Sequence, residues 1–306
     1  MKLGFSLQLW VMHGNNYDVL HKMFDELALI GYDGIELAYP FVKELYQDKP
    51  EELRKLLEMH GLEVASTYVG FDFRTPEATE NCLRQAKENI DFYSELGCQN
   101  FLMDCQCEKP GHAPSWGYVF QYTDEQLANA AQTANHLAKY AKEKGMQLSW
   151  HTHWATFFEN QEMFQKFWNQ TDPSLVSLCP DFGQCQLIGV DPVEFAKKNI
   201  DRITHYVHLK DIELRPEKRE LWPGKVFPDN DGPYCVDALG RWIETGRGDV
   251  NFPAIASILK DSGFDGWATI DLDTSSYVAR ESAQACKDYI NKALHMVGAR
   301  DLKNTR

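Results

Sequence analysis

Apolar positions along this chain follow two rhythms. Segments such as YDVLHKMFDELALI place them three and four residues apart, the period of an amphipathic helix, while short runs such as FLM at 101–103 are continuously apolar, as buried parallel strands are. A unit built from both recurs: a helix, a glycine, one or two polar residues, then a strand. Five copies stand out, LALIGYDGIEL around Gly31, LLEMHGLEVASTY around Gly61, YSELGCQNFLMD around Gly97, YAKEKGMQLSWH around Gly145 and ILKDSGFDGWATIDL around Gly263. At that position glycine supplies the left-handed conformation that ends a helix before the chain turns into a strand.

The pattern predicts eight strands, near 3–9, 33–38, 62–69, 100–104, 147–152, 175–180, 203–210 and 267–272. Helices are predicted between them, near 17–30, 50–60, 77–97, 124–144, 159–168, 192–199, 252–262 and 277–296. Eight βα units in succession are what a closed barrel needs, whereas a doubly wound sheet usually has about five to seven parallel strands. The expected fold class is therefore α/β, a single-domain (β/α)8 TIM barrel over residues 1–306. Long connections follow the fourth and seventh strands, from Cys105 to about Tyr122 and from Asp211 to Asn251, on the barrel face that carries active sites. The second holds Trp222, Pro223, Gly224, Phe227, Pro228, Gly232, Pro233 and Tyr234, turns and aromatics suited to covering a pocket; a surface excursion without a role is the alternative.

Composition narrows the classes. With 43% hydrophobic and 25% charged residues the chain can build a sizeable core and shows no low-complexity bias. The start, MKLGFSLQLWVMHGNN, lacks a long apolar core and an A-x-A-like cleavage site, so it reads as a first strand and not a signal peptide. No apolar run reaches the roughly 18 residues of a spanning helix. A cytoplasmic protein without membrane association is expected, and a homo-oligomer is left open. Eight cysteines, Cys105 and Cys107 among them without a second pair, read as reduced thiols and not as a zinc ribbon or disulfide framework. A net charge of −14 repels phosphate backbones and argues against a nucleic-acid partner.

In a barrel, polar residues at the C-terminal ends of strands point to the reaction site. Here the predicted ends read Ile35-Glu36, Met103-Asp104, Trp150-His151-Thr152-His153, Cys179-Pro180-Asp181, His208-Leu209-Lys210-Asp211 and Ile270-Asp271-Leu272-Asp273. Imidazoles and carboxylates converging from adjacent strands five to eight form a divalent-metal claw, with His151, Asp181, His208 and Asp271 as ligands. Alternate residues of a strand share a side, so His153 can face the same cavity as His151. Each residue also has a plainer reading: a strand-end histidine as a hydrogen-bonded structural residue, an aspartate as a helix N-cap, Glu36 as a supporting carboxylate or ion-pair partner. Asp181 is followed by Phe182-Gly183 with no obvious helix, which favours the ligand reading. His153, Lys210 and Glu36 are the candidates for proton transfer, histidine because it titrates near neutrality and lysine because a nearby metal can lower its pKa. Trp10, Tyr68, Trp116 and Trp154 are candidate pocket walls against the C–H faces of a sugar or polyol, with core or lid packing as the alternative.

Taken together, GYDGIEL with Glu36, LSWHTHWAT with His151 and His153, CPDFGQ with Asp181, YVHLKD with His208, and GRGDVNFPAIASILKDSGFDGWATIDLD with Asp271 resemble the xylose-isomerase-like TIM-barrel superfamily over nearly the whole chain. That superfamily includes sugar isomerases and epimerases, endonuclease IV-type enzymes and inosose dehydratases. Its epimerases hold their metal with Glu, Asp, His and Glu from strands five to eight, and both glutamates exchange protons with substrate. Here His151 stands at the first glutamate position and Asp271 at the last, and His-x-His followed by the HLKD and FPAI order is more similar to the inosose dehydratase branch. Gln184 stands where many relatives have a histidine, which argues against a second metal.

The resemblance implies one divalent ion, Mn, Co, Zn, Mg or Fe with Mn or Co favoured, that polarises the keto group of a small keto-sugar or keto-inositol. Loss of the adjacent C–H proton and of a β-hydroxyl then gives dehydration; return of the proton gives isomerisation or epimerisation. A nuclease should present cationic residues to DNA, and a sugar-binding protein would not need four metal-competent side chains.

Overall fold

The computed structural model describes residues 1–38, 40–105, 122–154, 156–215 and 239–295. These hold the strands β1 (Lys2–Ser6), β2 (Gly34–Glu36), β3 (Glu63–Gly70), β4 (Asn100–Asp104), β5 (Gln147–His151), β6 (Val176–Cys179), β7 (Tyr206–His208), β8 (Asp211–Leu214), β9 (Gly240–Ile243) and β10 (Trp267–Ile270). Eight of them form one parallel sheet in the order β6-β5-β4-β3-β2-β1-β10-β7. Its two ends meet through a parallel bridge between Asp181 and His208, where the His208 amide donates to the Pro180 carbonyl at 3.0 Å. The barrel is therefore closed at two of the predicted metal ligands.

The βα units form for the reasons the sequence supplies. Asn16, Thr75, Thr123 and Asp191 each accept a first-turn backbone N–H at the start of helices Tyr17–Ile30, Pro76–Glu95, Asp124–Glu143 and Pro192–Asn199. All five glycines of the repeated unit have positive φ, from 63° at Gly61 to 88° at Gly31. The helices bury one stripe each against the barrel: Leu20, Met23, Phe24, Leu27 and Ile30 in the first, for example.

Several elements differ from expectation. The first strand ends at Ser6, and Gln8–Val11 is a short helix that buries Leu9 and Trp10. A short apolar run does not by itself tell strand from helix. The seventh strand shortens to Tyr206–His208, and its following connection opens into an antiparallel hairpin in which Asp211 pairs with Ile243 and Leu214 with Gly240. Short helices at Pro40–Tyr46 and Phe182–Leu187 were also missed by the periodicity. The aromatic group from Trp222 to Tyr234 and most of the connection after Cys105, Trp116 included, lie outside the described residues.

Inside the barrel, the lower part is apolar and tight. Trp267, Ala65, Leu102, Cys179 and Tyr206 pack together there. A Cβ on Gly34 would come within 2.6 Å of the Trp267 ring, so only glycine leaves room for this plug. Above it, towards the C-terminal strand ends, the inward positions become polar. No helix among the described residues is long and apolar enough to cross a membrane.

Candidate metal centre

The structure brings the four predicted ligands together. One donor atom from each of His151, Asp181, His208 and Asp271 lies within 4.8 Å of the other three, and all four residues are buried. His208 Nδ1 is 3.1 Å from His151 Nε2, 3.7 Å from Asp181 Oδ2 and 3.8 Å from Asp271 Oδ2; His151 Nε2 is 3.6 Å from Asp181 Oδ2. Donors bonded at about 2.1 Å to one ion stand roughly 3–4 Å apart, so the spacing suits a single first-row or similar divalent cation.

The chemistry of the donors fits as well as their spacing. His208 Nε2 lies 3.0 Å from Glu36 Oε2. With its proton on that nitrogen, His208 turns the lone pair of Nδ1 towards His151. His151 Nδ1 lies 3.6 Å from Asp104 Oδ2, which leaves Nε2 as its inward donor. At 3.1 Å the two ring nitrogens can share a proton or, as two lone pairs beside a carboxylate oxygen, a cation. Asp181 Oδ2 is buried and has no hydrogen-bond partner, a costly state for a carboxylate oxygen unless a cation takes it.

Without metal, protons fill that demand. Burial opposes charge on His208, but Glu36 and Asp181 more than offset it and hold its pKa up at about 10. Burial likewise opposes charge on His151, and Asp104 and Asp181 raise its pKa above the ordinary value. Burial alone would push Asp181 up; the His151 and His208 rings, 3.6 and 3.7 Å from Oδ2, bring it well below the usual carboxylate range. Asp271 is also lowered, burial being outweighed by Lys210 and His208.

Asp181 joins two roles that sequence reading treated as alternatives. Its Oδ1 accepts the Gln184 amide at 2.9 Å and caps helix Phe182–Leu187, while Oδ2 faces the histidines. The absence of a helix after Asp181 is thus corrected; six residues are too few to show a helical period. Its own amide donates to Thr152 Oγ1 at 2.9 Å, so the threonine between the two histidines fixes the backbone of Asp181 at the end of the next strand.

The other candidates are placed as follows. His153 is buried beside His151, ring centroids 5.6 Å apart, and its Nδ1 lies 2.5 Å from the Trp154 carbonyl. Burial lowers its pKa. Lys210 Nζ donates to Asp271 Oδ2 and to Asp273 Oδ2, both at 2.8 Å, and stands 4.7 Å from the centre of the Trp242 ring. Burial opposes its charge, but Asp271 and Asp273 outweigh that and raise its pKa, so without metal two carboxylates hold it as a cation. Glu36 lies behind His208, where Oε2 accepts from Ser66, Tyr206 and His208 at 2.7, 3.0 and 3.0 Å. It is not on the side of His208 that faces the other ligands.

Tyr68 meets the His151 ring edge-on at 5.9 Å and donates to Asp104 Oδ1 at 2.7 Å. Trp154 stacks beside His153 at 6.2 Å. Trp10 does not reach this site. It packs on Phe5, between the inward-facing Gly4 and Ser6, and its indole donates to Glu26 of helix Tyr17–Ile30 at 2.7 Å. It is a core residue. Sequence reasoning passed over Ser6, which donates to Asp271 Oδ1 at 2.9 Å, and gave no role to Asp104 or Asp273, although both were visible as strand-end carboxylates.

Comparison with known proteins agrees with this architecture. An inosose dehydratase from Geobacillus kaustophilus is 27% identical over 308 residues, covering 96% of this chain and 95% of that protein. One from Clostridium perfringens is 28% identical over 309 residues, covering 97% and 98%. Among solved structures, the IOLI protein with a bound zinc atom superposes with a TM-score of 0.71 at 18% identity, covering 98% of this chain and all of that one. The xylose isomerase-like TIM barrel family model matches residues 24–289, and the chain belongs to that family.

Proposed function

We propose that this protein is a divalent-metal-dependent lyase that dehydrates an inosose-like keto-polyol, working in the cytoplasm with manganese or cobalt. The observation that carries the reading is the convergence of His151 Nε2, His208 Nδ1 and the unpartnered Asp181 Oδ2, with Asp271 beside them. When bound there, the ion supplies Lewis acidity that polarises a substrate keto group and acidifies the adjacent C–H. All four ligands come from one chain, so a homo-oligomer is not needed to complete the set.

His153 is the proposed base. With Nδ1–H donated to the Trp154 carbonyl, Nε2 holds the lone pair that takes the proton from carbon. The same ring returns that proton to the departing β-hydroxyl, so water leaves and the histidine ends neutral. Lys210, kept cationic by Asp271 and Asp273, stabilises negative charge as it develops on substrate oxygen. Tyr68 and Trp154 offer the aromatic surface for the ring's C–H face. Relatives named inosose dehydratase supply the substrate class. Histidine at position 151 and aspartate at 271 favour dehydration over an epimerase mechanism that needs glutamate at both.

The test is proton NMR of metal-loaded protein in D₂O with 2-keto-myo-inositol and a panel of ketohexoses. Metal-dependent loss of water from the inosose supports the proposal. Deuterium uptake into a ketose without dehydration would replace it with isomerase or epimerase activity.

A further inference from the structure

Glu36 is a buried carboxylate that ligates nothing in the four-residue cluster, yet it sits at the centre of its own network. Ser66 Oγ, Tyr206 OH and His208 Nε2 all converge on one oxygen, Oε2. Tyr206 OH in turn accepts from Thr269 Oγ1 at 2.7 Å and lies 2.9 Å from Ser66 Oγ. Four strands, β2, β3, β7 and β10, thus hold one acceptor against one ring nitrogen. On the other side of the cluster, Asp104 shows a looser version. Its Oδ1 is held by Tyr68 OH at 2.7 Å, and its Oδ2 lies 3.6 Å from His151 Nδ1, too far for a hydrogen bond, so Asp104 favours the proton on that nitrogen through its charge alone.

We infer that Glu36 and Asp104 are positioning residues that make the two histidines bind metal through opposite nitrogens, His208 through Nδ1 and His151 through Nε2. The inference rests on the metal reading of the cluster. Hydrogen bonding decides which nitrogen of an imidazole carries the proton, and the other is left to ligate. For His208 the Oε2 of Glu36 fixes the proton on Nε2, and the Ser66 and Tyr206 hydroxyls fix Oε2 itself. Moving the proton to the other nitrogen would put Nδ1–H towards the cluster and leave Glu36 without its His208 donor, so the network selects one tautomer. Glu36 therefore acts through His208 and exchanges no proton with substrate.

The direct test uses wild-type protein labelled with ¹⁵N-histidine and loaded with ¹¹³Cd²⁺. Cadmium–nitrogen coupling is expected at Nδ1 of His208 and Nε2 of His151, with protons on the opposite nitrogens. Coupling at His208 Nε2 overturns the inference while leaving the metal site in place; absence of coupling to either histidine overturns both. As a second measurement, Glu36→Gln keeps an acceptor oxygen for all three donors but removes the charge. It should weaken Cd²⁺ binding by about 10–100-fold, and Asp104→Asn by less, because its contact is longer. Unchanged Cd²⁺ affinity in folded Glu36→Gln overturns the role given to its charge, and the wild-type coupling decides the nitrogen assignment even where the variant does not fold.

Discussion

Replacing Lys210 by methionine separates three quantities that the structure ties to one ammonium group. Methionine keeps much of the stem that lies beside Trp242 but removes the charge shared by Asp271 and Asp273. Lys210 is only 1% exposed, so water does not replace it. Deleting one partner of such a buried pair costs about 3–5 kcal/mol, because the remaining carboxylates keep their desolvation penalty. For a chain of 306 residues this lowers Tm by roughly 5–8 °C in the chelator-treated protein. Metal affinity should not fall, since Asp271 Oδ2 loses its competitor for the ion. Turnover should fall, by about 10²–10³ in kcat if the ammonium stabilises developing charge. Calorimetry, metal titration and steady-state kinetics on one preparation read all three. A variant that melts with the wild type when chelator-treated and turns over at the wild-type rate when metal-loaded would refute the reasoning.

Three further outcomes follow from named contacts. The pKa of His208 is raised from 6.5 to about 10 by Glu36 and Asp181 against the effect of burial, so the stability it contributes to metal-free protein is complete below about pH 6.5 and lost as pH rises through about 10. Chelator-treated protein should therefore lose Tm over that interval, while apparent metal affinity rises because protons compete for the same nitrogens; a metal affinity independent of pH would contradict the ligand assignment. Thr152→Val leaves the buried Asp181 amide without its acceptor and should cost about 1–3 kcal/mol by denaturant unfolding together with a measurable loss of metal affinity, whereas wild-type values for both would remove Thr152 from the site. Gly248→Ala places a Cβ 2.3 Å from Asp211 Oδ1, the carboxylate that accepts the Gly246, Gly248 and Val250 amides, and should destabilise by about 1–3 kcal/mol without altering metal affinity per folded molecule.

What the sequence revealed, and what it hid, follows from range. Glycine at helix ends and unbroken apolar strands such as Asn100–Asp104 are local signals, and they sufficed to count the barrel strands. The convergence of His151, Asp181, His208 and Asp271 was legible for a related reason: polar residues at the C-terminal ends of barrel strands point to one place. Short additions to the βα pattern were not legible, including the Phe182–Leu187 helix and the β8–β9 hairpin, whose strands are separated by a long insertion. Division of labour was hidden too. Nothing local to Glu36 says that Ser66, Tyr206 and His208 will surround it, and nothing local to Lys210 says that Asp273 joins Asp271 in keeping it charged. Trp10 misled because its partner, Glu26, lies a helix away.

The most direct test of the account is a titration of chelator-treated protein with Mn²⁺ or Co²⁺, with turnover of 2-keto-myo-inositol followed in the same samples. The account predicts activity that rises linearly and breaks at one ion per chain, and an Asp181→Ala protein that shows neither tight binding nor turnover. Full dehydratase activity in metal-free wild type, or unchanged binding and turnover in Asp181→Ala, would contradict it.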